Sequence, residues 1–225
     1  CSGVVTMKRV LLVLTLIAAA IVLPFFLPGI GTQAGVDPQA NLPWQIDLDG
    51  QGGSRVFGIR PGESLLGEVK AGLGEDRQVA IVAAPNEVGA LEVYYNQVAL
   101  GFVMARVILA VDAPDAVLQA MRERAPKAEF MESATRKISL HPDDLVAADR
   151  LPVRSVSVIP TVNLDIGTII QRFGEPGERV AVGDKRVHLL YPDKGLDVVV
   201  DEAGKELLQY VAPRDFARLR DPLLK

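Results

Sequence analysis

The pattern of apolar and polar positions changes character along this chain. From Val10 to Leu27 (VLLVLTLIAAAIVLPFFL) 18 consecutive residues carry no charge. As a helix this run would reach about 27 Å, the thickness of a bilayer's hydrocarbon core. Met7, Lys8 and Arg9 form a positive flank directly before it, and such a flank is expected on the cytoplasmic side. From Pro28 to about Asn41 (PGIGTQAGVDPQAN) the period disappears and Gly, Pro, Gln and Ala dominate. That composition buries too little surface to fold and reads as a flexible tether over residues 28–43.

Short-period alternation starts at Trp44. Trp44 to Leu48 alternates, Asp49 to Ser54 is turn-rich, and Val56-Phe57 follow, which predicts a hairpin. Further on, the spacing predicts helices over 114–124, 143–148 and 164–172, with Asp112 and Gly174 near helix ends. Lys127 to Leu140 reads as extended, and Val153 to Ile159 as an alternating strand. Arg179–Val182, Arg186–Tyr191, Leu196–Val200 and Glu206–Val211 read as strands separated by turn residues. Asp215 to Arg220 reads as a short closing helix.

Two stretches correspond at a constant offset of 100: ESLLGEVKAGLGE from Glu63 and NLDIGTIIQRFGE from Asn163. Gly67 matches Gly167, Gly74 matches Gly174, and Leu66, Val69 and Leu73 match Ile166, Ile169 and Phe173. Those apolar positions lie on one face of a helix. Leu91 to Tyr95 then parallels Val187 to Tyr191, and Leu100 to Val103 parallels Leu196 to Val199. The expectation is an internal duplication. The predicted fold class is α+β: an N-terminal transmembrane helix followed by two related modules, each a helix on an antiparallel sheet. The boundaries are residues 1–6 as upstream or disordered sequence, 7–27 as signal anchor, 28–43 as tether, 44–150 as the first module with an insertion, and 151–225 as the second.

Composition narrows the function. Net charge is −4, aromatics are 5% of residues, and no basic stripe is present, which argues against nucleic acid as a partner. Cys1 is the single cysteine, so no intramolecular disulfide forms. Cys1-Ser2-Gly3 is similar to the start of a mature lipoprotein, but a positive flank and an apolar run follow it. Met7 is therefore read as the start. The expected location is the bacterial inner membrane as a single-pass protein anchored by Val10 to Leu27, its C-terminal part in the periplasm. The alternative is secretion to the periplasm after cleavage near Ala34.

Phe173-Gly174-Glu175-Pro176, Tyr191-Pro192-Asp193-Lys194-Gly195-Leu196 and Asp201 to Tyr210 resemble the small envelope lipoproteins of the SmpA/OmlA type. These are related in fold to the β-lactamase inhibitory protein. Gly174-Glu175-Pro176 carries the Gly-x-Pro helix end of that family, whereas Gly74-Glu75-Asp76 lacks the proline. The resemblance covers about 50 residues and implies a protein-binding module with a role in envelope assembly or inhibition; it transfers no binding residue.

Candidate chemistry is sparse. His141-Pro142-Asp143-Asp144 has the residues of a metal site but also of an ordinary helix start, with carboxylates at the positive end. His188 alternates within a strand and reads as a surface or interface residue. No nucleophile elbow, phosphate loop, metal cluster or cofactor motif appears. The expected function is non-catalytic binding of another envelope protein, with Tyr95, Asp184, Tyr191 and Tyr210 as candidate binding residues and Glu206 to Val211 as an edge strand open to a partner. One alternative is an inhibitor of a secreted hydrolase that inserts the Asp49 or Asp184 loop into a cleft. The other is a hydrolase or transferase in which His141 or His188 meets a carboxylate.

Overall fold

The computed structural model of the chain describes residues 40–224 apart from 75, 86, 131–134 and 203. The Val10–Leu27 run, the residues before it and the cleavage position at Ala34 lie outside the described residues.

A small hairpin, β1 (Asp47–Leu48) and β2 (Ser54–Arg55), opens the described part. Ten further strands follow: β3 (Gln78–Ala83), β4 (Ala90–Leu100), β5 (Val103–Val111), β6 (Lys127–Phe130), β7 (Arg136–Ser139), β8 (Val153–Pro160), β9 (Glu178–Val182), β10 (Arg186–Tyr191), β11 (Leu196–Asp201) and β12 (Leu207–Tyr210). They form one antiparallel sheet in the order β6-β7-β3-β4-β5-β8-β12-β11-β10-β9. Five short α-helices accompany it: α1 (Leu66–Leu73), α2 (Asp115–Glu123), α3 (Pro142–Ala148), α4 (Ile166–Phe173) and α5 (Ala217–Arg220).

This corrects the expected fold class. The two halves do not form separate helix-on-sheet modules, because β5 and β12 both pair with β8 and merge them into a single ten-stranded sheet. The fold is mostly sheet. No helix among the described residues is long and apolar enough to cross a membrane, so the single-pass inner-membrane placement is also corrected. Leu100–Val103, expected as a strand, is the β4–β5 turn with Gly101 at φ 60°. The strands on either side are longer than short apolar runs announce.

Local rules account for the helices. In α4, the Asp165 carboxylate accepts the Thr168 N–H at 2.8 Å, and Gly174 ends the helix at φ 84°, a backbone that side chains resist. Ile169 and Phe173 face inward. In α3, His141 is the N-cap, its Nδ1 accepting the Asp143 N–H at 3.3 Å, and Pro142 opens the helix. The corresponding ends of α1 and α4 both carry a left-handed glycine, Gly74 and Gly174.

The strands divide their residues between the sheet faces. On one face a row runs from β3 to β10 as Val79, Val93, Leu109, Val156, Tyr210, Leu196 and Tyr191. A parallel row holds Tyr95, Val107, Val158, Leu208, Val198 and Leu189. Residues of α1, α2, α3 and α4 (Leu66, Val69, Leu118, Met121, Ala148, Ile169, Phe173) pack into the same cluster. The main core therefore sits between these helices and this face.

Among the described residues, the opposite face is covered only at its β9–β10 end. There Phe216, Leu219 and Leu223 pack on Leu190 and Val180, and Arg220 Nε donates to both carboxylate oxygens of Glu178 at 2.8 and 3.0 Å.

Candidate functional site: the open face of the sheet

Between that C-terminal cover and the β6 edge, the second face carries a continuous row: Gln78, Tyr94, Ile108, Ser157, Gln209, Asp197, Leu190 and Glu178. Beside it lie Ala80, Glu92, Ala110 and Ser155. No described helix packs on these positions from β3 to β12. The row from Tyr94 to Gln209 is small, apolar or neutral, so a covering element would meet little desolvation cost along it.

At the β3–β5 end the face is hollowed. A depression of about 380 Å³ is lined by the apolar Ala80, Val82 and Ile108 and the polar Gln78, Glu92, Tyr94 and Lys137. It is shallow because it lies on an open sheet rather than between elements. Lys137 Nζ donates to Gln78 Oε1 at 2.7 Å, which occupies the one cation of the depression. Glu92 is half-buried and makes no hydrogen bond or ion pair among the described residues. Burial pushes its carboxyl above the ordinary range, opposed by the charge of Arg154. Arg154 itself lies 4.0 Å from Asp112. The Tyr94 hydroxyl donates to Asn96 Oδ1 at 3.3 Å.

The tyrosines read from the sequence as binding residues have other surroundings. Tyr95, Tyr191 and Tyr210 are 1%, 4% and 1% exposed. Tyr191 donates its hydroxyl to Gly174 O at 3.0 Å and so caps α4. Tyr210 donates to Pro43 O at 2.9 Å and stacks edge-on with Phe57, tying the start of the folded region to the core. Burial raises the phenol pKa of all three. Asp184 is exposed in the β9–β10 turn. The structure brings these four residues to no common site. The tyrosine on the open face is Tyr94, the neighbour of Tyr95 in β4. Parity within the strand could have found it, had the inward face been known.

The segment Glu206–Val211, expected at an edge, supplies an interior strand: β12 lies between β8 and β11. The edges are β6, with Phe130 79% exposed, and β9. Asp49 closes its own loop, its Oδ1 accepting Gln51 N at 2.8 Å and Gly53 N at 2.9 Å. Those hydrogen bonds hold its carboxyl below the usual range.

His188 Nδ1 lies 2.7 Å from Asp197 Oδ2, which sequence reasoning missed because the pair is cross-strand, on β10 and β11. Asp197 is 1% exposed and His188 8%. Burial raises the Asp197 carboxyl, opposed by His188, and its Oδ1 has no hydrogen-bond partner among the described residues. Such a pair can hold or pass a proton. His141 is the helix cap already described, and the described residues hold no metal-binding cluster.

No protein-family model matches the chain, and no curated protein or solved structure matches it either.

Proposed function

We propose that this chain is a non-catalytic protein-binding module whose working surface is the open face of the sheet. One observation carries the reading: the same strands that bury one face under four helices leave the other face, among the described residues, without a covering helix between β3 and β12. An uncovered row that is neutral from Gln78 to Gln209 suits contact with another polypeptide. A small ligand is a poorer fit, since sites for small molecules enclose most of their ligand and the depression beside Tyr94 is open. The net charge of −4 disfavours nucleic acid.

The test places a photo-crosslinking residue at Ile108, Ser157 and, as a control on the helical side, Val146. The expected outcome is one defined protein adduct from Ile108 and Ser157 and none from Val146. That protein, purified, then binds the full chain and loses binding to Ser157→Arg. Adducts equal at Val146, or binding unchanged by Ser157→Arg, would overturn the reading.

The contact between His188 and Asp197 favours a second reading, a hydrolase using the pair as general base. It requires a turnover that His188→Gln abolishes while the unfolding midpoint stays within a few degrees. Turnover retained in that variant rejects it.

A further inference from the structure

The Glu92 carboxyl is unlike the other acidic groups of the open face. Glu178 is held by Arg220, Asp201 by Arg186 at 3.0 Å, and Asp197 by His188. Glu92 is half-buried, lines the depression, and makes no hydrogen bond or ion pair among the described residues. Of the two cations near it, Lys137 is turned to Gln78, and Arg154, whose charge reaches Glu92, lies 4.0 Å from Asp112. Leaving a partly desolvated carboxylate without a donor works against stability. It becomes favourable once a partner supplies the donor.

The surroundings of Glu92 define that donor. Tyr94 lies two residues along β4 and therefore on the same face, about 7 Å away. Its ring lines the depression together with Ala80, Val82 and Ile108. A carboxylate next to an aromatic ring over an apolar floor suits a planar cation, which stacks on the ring and donates in parallel to both carboxylate oxygens. Guanidinium meets this geometry better than ammonium, whose stronger hydration opposes entry onto apolar surface. The depression is too open to retain a free cation, so the rest of the contact must come from the chain that carries it. The neutral row from Ile108 to Gln209 supplies the surface for that chain.

We propose that the depression beside Tyr94 receives an arginine side chain from a partner polypeptide, with its guanidinium set on the Glu92 carboxylate and the Tyr94 ring. The partner segment carries apolar residues on either side of that arginine, which cover Ile108 and Val82. This rests on the binding-module reading and names the partner's chemistry at the same surface.

The experiment is an NMR titration of the isotope-labelled full chain with two capped peptides. Ac-Ser-Val-Arg-Val-Ser-NH2 carries the cation. In the other, citrulline replaces arginine and keeps the planar shape and a pair of parallel N–H donors without the charge. The expected result is shift changes centred on Ala80, Tyr94 and Ile108, with the arginine peptide binding at least about tenfold tighter. Glu92→Gln removes that preference. Tyr94→Leu, which keeps the carboxylate, weakens the arginine peptide roughly two- to fivefold. Equal affinity for both peptides, changes centred elsewhere, or no change at millimolar peptide overturns the proposal. If the peptides fail while Ile108 cross-links to a purified partner that Ser157→Arg no longer binds, the arginine falls and the binding module stands. If both fail, the open face is not a binding surface.

Discussion

Two faces of one sheet share the same strands, yet among the described residues only one is covered along its length, the other at its β9–β10 end alone. In β5, Leu109 is fully buried in the row that runs from Val79 to Tyr191. Ile108, its neighbour in sequence, points the other way, half-buried between Tyr94 and Ser157 with no described helix packed above it. Side-chain chemistry barely distinguishes the two positions. What separates them is the amphipathic stripe of each helix: Leu66, Val69 and Leu73 in α1, and Ile169 and Phe173 in α4. These stripes have a partner in one face only. The difference teaches that apolar content in a strand does not locate the core; the element that comes to lie on it does.

The largest predicted effect breaks this comparison at β5. Leu109→Ala removes a side chain that is closed in on all sides and should cost about 3–4 kcal/mol in urea unfolding. Ile108→Ala should cost less than about 1 kcal/mol, since water already reaches that side chain. Near-equal costs would mean that the open face is covered in solution. Next in size is Phe216→Ala. Phe216 is the anchor of the C-terminal cover over Leu190 and Val180. Its loss should cost about 2–3 kcal/mol, at or below the lower end for a buried aromatic because the cluster lies at a sheet margin and can relax. Hydrogen exchange should then rise in β9 and β10 and stay unchanged in β5. Protection unchanged in β9 would show that the cover contributes nothing there. Tyr210→Phe, which leaves Pro43 O without its donor, should cost about 1 kcal/mol and release the start of the folded region to proteolysis near residue 43.

Much of this architecture is local enough to be read from sequence. The Gly174 stop, the His141-Pro142 start of α3 and the alternation in Val153–Ile159 each depend on neighbours within a few residues. β10 follows its expected bounds, Arg186–Tyr191. What stays hidden depends on pairing. Strand order put β12 inside the sheet and joined both halves through β8. No period in the sequence encodes a neighbour, because alternation fixes which residues share a face and not what lies beside them. The open site fell to the same ambiguity. Tyr94 and Tyr95 carry the same side chain on opposite faces, and both faces of β4 include apolar positions. The His188–Asp197 contact likewise needs the β10–β11 register.

The smallest predicted effect bears most directly on why the open face stays open. The Glu92 carboxyl is raised above its ordinary 4.5 by burial, so the folded chain holds that proton more tightly than the unfolded chain does. Stability from this group is complete below the unfolded pKa and is lost as pH rises through the folded one. At neutral pH the ionised carboxylate is then a mild liability. Glu92→Gln should flatten this slope and stabilise the chain by a few tenths of a kcal/mol at pH 7, with no gain below pH 4. Asp197 is raised in the same sense, so the measurement is the difference between wild type and variant across pH, in which its contribution cancels. Thermal unfolding from pH 4 to 8 gives that difference directly. A gain that appears only above the carboxylate range, together with loss of arginine-peptide preference, identifies a residue retained at a cost to the free protein, as expected of a binding surface. A variant less stable than wild type at pH 7 would instead mean that Glu92 already has a partner within the fold.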